Sequence, residues 1–157
     1  MKGKAIAVGA AAVLAAAAAI VKPWEGVRTG VYADIVGVPT VCYGHTGKDV
    51  KLGQPRRLPA ECDRLLQGDL MLAQAAVRSC INWPLPVKTE AALVSFVFNV
   101  GPSGVCGSTL QKHFNRGEIA QGCLQLTRWV YAGGQRVPGL VNRRKAEYKL
   151  CMEGFGT

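Results

Sequence analysis

Residues 5–21 carry no charge. They are mostly alanine, with Ile6, Val8, Val13, Leu14, Ile20 and Val21 as the larger side chains, and Lys22-Pro23 closes the run. Between Gly26 and Gly47 the pattern changes. Val31-Tyr32, Ile35-Val36 and Val38 to Tyr43 are β-branched or aromatic pieces punctuated by Gly30, Gly37 and Gly44, which predicts short β structure. From Pro59, a favourable first helical residue, to about Cys80 the spacing turns helical. Its apolar stripe runs through Leu65, Leu66, Met71 or Leu72, Ala73 and Val77, with Asp63 and Asp69 off it. Pro84 and Pro86 break that helix. Thr89–Asn99 is apolar on nearly every side, the mark of a buried central helix, and Gly101-Pro102 ends it. Shorter helices are predicted around Thr109–Asn115, Glu118–Leu126 and Leu140–Met152. The sum is an α+β fold: a small β lobe, a larger all-helical lobe, and a natural cleft between them.

A chain of 157 residues has room for one well-buried core, and no linker, low-complexity tract or internal repeat divides it after Val21. The expected division is an N-terminal segment, 1–22, followed by one domain, 23–157. The net charge of +9 favours polyanionic partners. Nucleic acid is not expected among them, because the basic residues are scattered from Lys2 to Lys149 rather than gathered on one element with aromatics between them. Lys2 and Lys4 ahead of the apolar run orient it with its start in the cytoplasm and its end exported. The run is near the lower limit of about 17 residues for crossing a bilayer, and alanine makes it weakly apolar. A cleaved signal peptide and a retained, marginal anchor both fit, since Ala15–Ala19 offers several small-residue cleavage sites.

Cys42, Cys62, Cys80, Cys106, Cys123 and Cys151 form an even, dispersed set without a C-x-x-C. With two histidines in the chain, the usual Cys/His zinc spacing is not available, and no metal or cofactor is implied. Disulfides in an oxidising compartment fit this set; reduced core cysteines in a cytosolic protein are the alternative. Candidate chemistry lies between Glu25 and Thr40. Hydrolysis of a glycosidic bond needs one carboxylic acid to protonate the leaving oxygen and a second group to handle water or the developing cation. Glu25 beside the apolar Trp24 suits the shielded acid, and Asp34 in a turn suits the wet carboxylate. On spacing alone the signal is weak, since Glu and Asp in loops are usually solvated surface charges.

Read from Glu25 to His45, the chain follows E-G-x-x-x-x-x-Y-x-D-x-x-G-x-x-T-x-x-x-G-H. This resembles the active-site signature of the phage lysozymes of glycoside hydrolase family 24. The likeness continues through Thr40–Asp49, Phe96–Gly101, Arg128-Trp129 and Asn142-Arg143-Arg144, and so covers nearly everything after Lys22. Together with the alanine-rich start it is similar to the signal-arrest-release endolysins of lambdoid phages. In that branch the N-terminal segment exports the enzyme, stays uncleaved, and holds it on the periplasmic face of the inner membrane until release activates it.

The resemblance implies a lysozyme-like fold and a monomeric muramidase that cuts peptidoglycan. Glu25 matches the general acid, Asp34 the second carboxylate, and Thr40 the threonine that helps hold the attacking water. Phe98 and Asn99 fall where the saccharide cleft is lined, and Arg143 matches an arginine near the acid. His45 and Asp69 match an ion pair tying the β lobe to the long helix. The inner membrane is the expected partner of residues 5–21 before release. Threading on the family fold pairs Cys42 with Cys62, Cys80 with Cys106, and Cys123 with Cys151. No cysteine precedes Cys42, which excludes a thiol-exchange switch within the anchor. Two other classes remain to be separated by experiment: a cationic membrane-active killer, and an exported module that only docks on the wall.

Overall fold

The alanine-rich run does not stop at Val21. In the computed structural model, which describes residues 2–156 and side-chain surroundings from Gly9 onward, it belongs to helix α1, Lys2–Glu25. Val13, Leu14, Ala17 and Val21 lie on one face of α1 and are buried in the main core. Ala11, Ala12, Ala15 and Ala19 on the other face are exposed. Lys2, Lys4, Ile6 and Val8, which the export signal draws on, lie outside the described side chains. The helix runs unbroken across residues 22 and 23. Gly26, at φ 63°, takes the left-handed position beyond its end, and its N–H donates to the Lys22 carbonyl at 3.1 Å. Glu25 is thereby the last residue of α1. Among the described residues no helix is long and apolar enough to cross a membrane.

Strands β1 (Arg28–Ala33) and β2 (Pro39–Cys42) form an antiparallel hairpin, with Tyr32 opposite Thr40 and Ala33 opposite Pro39. The tip departs from the sequence pattern. Ile35 and Val36 do not extend a strand; both are exposed at the turn. Asp34 decides this, because its Oδ1 accepts the N–H groups of Val36 and Val38 at 2.9 and 2.8 Å, the bonding of an Asx turn. Tyr43, expected within the strand, falls past its end, where Cys42 at φ 60° turns the chain.

Helix α2 (Pro59–Cys80) buries Cys62, Leu66, Leu70, Ala73 and Val77. Met71 and Leu72, expected on that stripe, are exposed, since one helical turn on from Leu66 the inward position falls to Leu70. Helix α3 (Val87–Val100) is longer than Thr89–Asn99 at both ends, and residues 89–97 are buried without interruption because α1, α2 and α6 surround it. Helices α4 (Thr109–Asn115) and α5 (Ile119–Gln125) lie where the pattern put them. Helix α6 (Pro138–Phe155) extends Leu140–Met152 in both directions. A small hairpin, β3 (Tyr131–Ala132) with β4 (Gln135–Arg136), was not anticipated: two-residue strands carry no readable alternation, and Gly133-Gly134 is the one signal of their turn.

The cysteines pair Cys42–Cys62, Cys80–Cys106 and Cys123–Cys151, with Cα atoms 5.0, 5.4 and 5.8 Å apart. These are the pairs that the family likeness implied. The first staples β2 to α2, the second links the end of α2 to the loop after α3, and the third joins α5 to α6. The β lobe keeps a small core of its own around Val41, Cys42, Val50 and Cys62.

Candidate active site

A cleft of about 360 Å³ opens between the lobes, lined by Glu25, Gly44, Thr46, Asp69, Leu72, Ala73, Val97, Phe98, Asn99 and Pro102. Glu25 reaches it from the C-terminal end of α1. Its Oε1 accepts a hydrogen bond from Arg143 Nη1 at 2.6 Å. Gly44 closes against the same carboxyl: at φ 73° the backbone favours glycine, and a Cβ there would come within 3.4 Å of Glu25 Oε2. Trp24, expected as the acid's apolar wall, is exposed and absent from the lining, because the next position on the helix faces away. Leu72, Ala73, Val97 and Phe98 supply that apolar surface instead.

Asp34 and Thr40 stand on the β1–β2 hairpin, outside this lining. Asp34 is half-buried, and Oδ1 is held by the two turn N–H groups, which leaves Oδ2 for other partners. Thr40 is buried, and its hydroxyl donates to the Val38 carbonyl at 2.9 Å, so toward a further group it can only accept. Phe98 and Asn99 border the cleft from the end of α3.

His45 and Asp69 meet across the lobe boundary. His45 Nδ1 lies 2.8 Å from Asp69 Oδ2, and Nε2 lies 3.1 Å from Asp49 Oδ2. Both ring nitrogens face carboxylates, so both donate, and the imidazolium form is favoured. Burial on its own would lower the pKa of His45, but the bonds to Asp69 and Asp49 outweigh it and raise the pKa above 6.5.

Behind Glu25 the charges continue inward. Arg143 is almost fully buried, and Arg144 and Glu147 are completely so. Glu147 Oε1 accepts from Arg143 Nε at 3.2 Å and from Ser95 Oγ at 3.0 Å; Oε2 accepts from Arg144 Nη1 at 2.7 Å. Burial pushes the Glu147 carboxyl up from its ordinary value, against the pull of Arg144 and Arg143. Arg144 goes on to donate to the Trp129 carbonyl and to Asn99 Oδ1, with its guanidinium 4.9 Å from the Phe96 ring centre. Glu147 escaped the reading of the sequence. The signal that could have found it is the spacing Arg143-Arg144-x-x-Glu147, which sets three charges on one helical face.

With this geometry in view, the sequence profile of the phage lysozyme family matches residues 22–147. The chain belongs to the phage lysozyme family. Among lysozyme-family relatives, a SAR-endolysin of Enterobacteria phage PA-2 is 42% identical over 158 residues, covering 98% of this chain and 95% of the relative. A SAR-endolysin of Bacteriophage PS119 is 46% identical over 130 residues, 83% of this chain and 77% of that one. Among solved structures, the endolysin from Escherichia coli O157:H7 phage FAHEc1 superposes with a TM-score of 0.78 at 28% identity, covering 88% of this chain and 91% of the other. The lysozyme-like α+β fold read from the sequence is the fold observed.

Proposed function

We propose that this phage lysozyme is an endolysin that hydrolyses the β-1,4 bond between N-acetylmuramic acid and N-acetylglucosamine in peptidoglycan, and so lyses the host cell. The observation that carries this reading is Glu25: a half-buried carboxyl on the wall of an interlobe cleft, fixed by a buried arginine and facing apolar surface. Glu25 protonates the leaving oxygen. Asp34 acts as the second carboxylate, with Oδ2 directed to the water, and Thr40 accepts a hydrogen bond from that water. The reaction inverts the anomeric carbon, a geometry in which the carboxyls stand about 6.5–9.5 Å apart with water between. Phe98 and Asn99 bind the sugar ring, and Arg143 holds the acid. The enzyme needs no cofactor and acts as a monomer.

Its relatives carry the name SAR-endolysin, and an alanine-rich first helix suits the same life history. Residues 5–21 hold the newly exported chain in the inner membrane, and release frees it into the periplasm. In the packed form α1 delivers Glu25 to Arg143 and Lys22 to Asp63, 3.1 Å away. While α1 lies in lipid neither pair can form, and the acid is out of the cleft; the membrane-bound enzyme is therefore inactive. Incubating the soluble chain with purified sacculi tests the activity. Reducing sugar of α-anomeric configuration in the first-formed product supports the reading, and sacculi that bind the protein without releasing sugar would overturn it.

A further inference from the structure

Every donor that Arg143 is seen to use ends on a different element. Nη1 goes to Glu25 of α1, Nε to Glu147 of α6, and Nη2 to the Ser95 carbonyl of α3. Arg144, its neighbour, spends Nη1 on Glu147, Nε on the Trp129 carbonyl and Nη2 on Asn99. One carboxylate, Glu147, is common to both. The result is a line of alternating charge, Glu25, Arg143, Glu147 and Arg144, that starts at one wall of the cleft, passes through the core, and returns to the cleft at Asn99. The buried part carries one carboxylate between two guanidiniums, and Glu25 completes the balance.

The end at Asn99 has a chemical consequence. Its Oδ1 is taken by Arg144, so the group this cleft-lining amide has left to offer is its NH2, a donor rather than an acceptor. An amide donor is suited to an acyl carbonyl oxygen, the group that distinguishes an N-acetylated sugar from a plain one.

We propose that Glu147 is a positioning residue that holds the acid and the sugar-reading amide in one frame: through Arg143 it fixes Glu25, and through Arg144 it fixes the donor face of Asn99. The inference deepens the muramidase reading and rests on it, but it is tested without turnover. The charged groups around Glu25 are Arg143 from α6, Asp69 from α2 with its partner His45, and Lys22 on α1, which is turned to Asp63. Glu147→Gln removes one negative charge next to Arg143 and leaves the others in place. The guanidinium then loses its charged anchor on α6, and the frame that holds the Glu25 carboxyl loosens.

The experiment follows the Glu25 carboxyl by carbon NMR in the soluble full chain, with tri-N-acetylchitotriose as the binding probe. In Glu147→Gln the Glu25 carboxyl resonance moves off its wild-type position, and chitotriose binding weakens about tenfold or more. Arg144→Lys keeps the charge but cannot reach Glu147, the Trp129 carbonyl and Asn99 together. It weakens chitotriose about tenfold and leaves the Glu25 carboxyl resonance where it was, and it still decides the matter if Glu147→Gln does not fold. A Glu25 carboxyl resonance unmoved in folded Glu147→Gln, or chitotriose bound with wild-type affinity by Arg144→Lys, would overturn the proposal. A wild-type chain inert on sacculi strikes the proposed reaction and leaves both readouts standing.

Discussion

A glutamine at position 25 keeps the shape of the side chain and its contact with Arg143 while removing the proton it can give. Turnover on sacculi should fall about 10²–10⁴-fold, with the melting temperature close to that of the unaltered chain. Asp34→Asn is a cleaner probe than it looked from the sequence. An asparagine Oδ1 can still accept the N–H groups of Val36 and Val38, so the turn survives and the loss reports chemistry. A similarly severe drop in sugar release is expected, with a smaller one for Thr40→Ala; near-full turnover in Asp34→Asn would remove it from the mechanism. At this scale Glu25, Asp34 and Thr40 became candidates through the family likeness, because the spacing of the carboxylates alone suits solvated surface charges as well. The surroundings were not legible. Trp24 was adjacent in sequence but faces solvent, and Glu147 lies far along the chain and is joined to the site only by three-dimensional packing.

Between elements, the contact of His45 with Asp69 ties the β lobe to α2 and is sensitive to pH. Its folded pKa is raised, so the stability it contributes is fully present below the unfolded value of 6.5 and is lost as pH rises through the folded one. Asp69→Asn should therefore lower the melting temperature more at about pH 5.5 than at about pH 8.5, and an equal gap at both would show that the imidazole is neutral. Helix α1 permits a second test. Leucines at Ala11, Ala12, Ala15 and Ala19 lie on its solvent face and leave the buried stripe untouched. Together they add about 2 kcal/mol of insertion free energy. Fractionation of expressing cells should find this variant retained in membrane and lysis delayed. Ala17→Leu, by contrast, would also disturb the core, where Ala17 is fully buried. Elements with a long helical period, α2 and α3 above all, were readable from the chain. The hairpin tip was not, because one aspartate side chain outweighed the β propensity of Ile35-Val36.

For the molecule as a whole, the three disulfides predict a framework that keeps the lobes together. Replacing Cys42 and Cys62 jointly by serine should cost about 2–4 kcal/mol in denaturant unfolding and loosen the β lobe first. The pairing itself could be read from the sequence only through family likeness, since six cysteines allow about 15 arrangements and spacing selects none of them. Every cysteine lies after residue 41, so no disulfide staples α1 to the rest. The core helix α3 is wrapped on all sides only when α1 is in its seat. With α1 withdrawn, the surfaces that Val13, Leu14, Ala17 and Val21 had covered become a wet apolar trough. Docking of one weakly apolar helix then governs colloidal behaviour: chain extracted in detergent should stay monodisperse on dilution only as fast as α1 seats, and copies that fail to seat it are expected to cluster through the open trough.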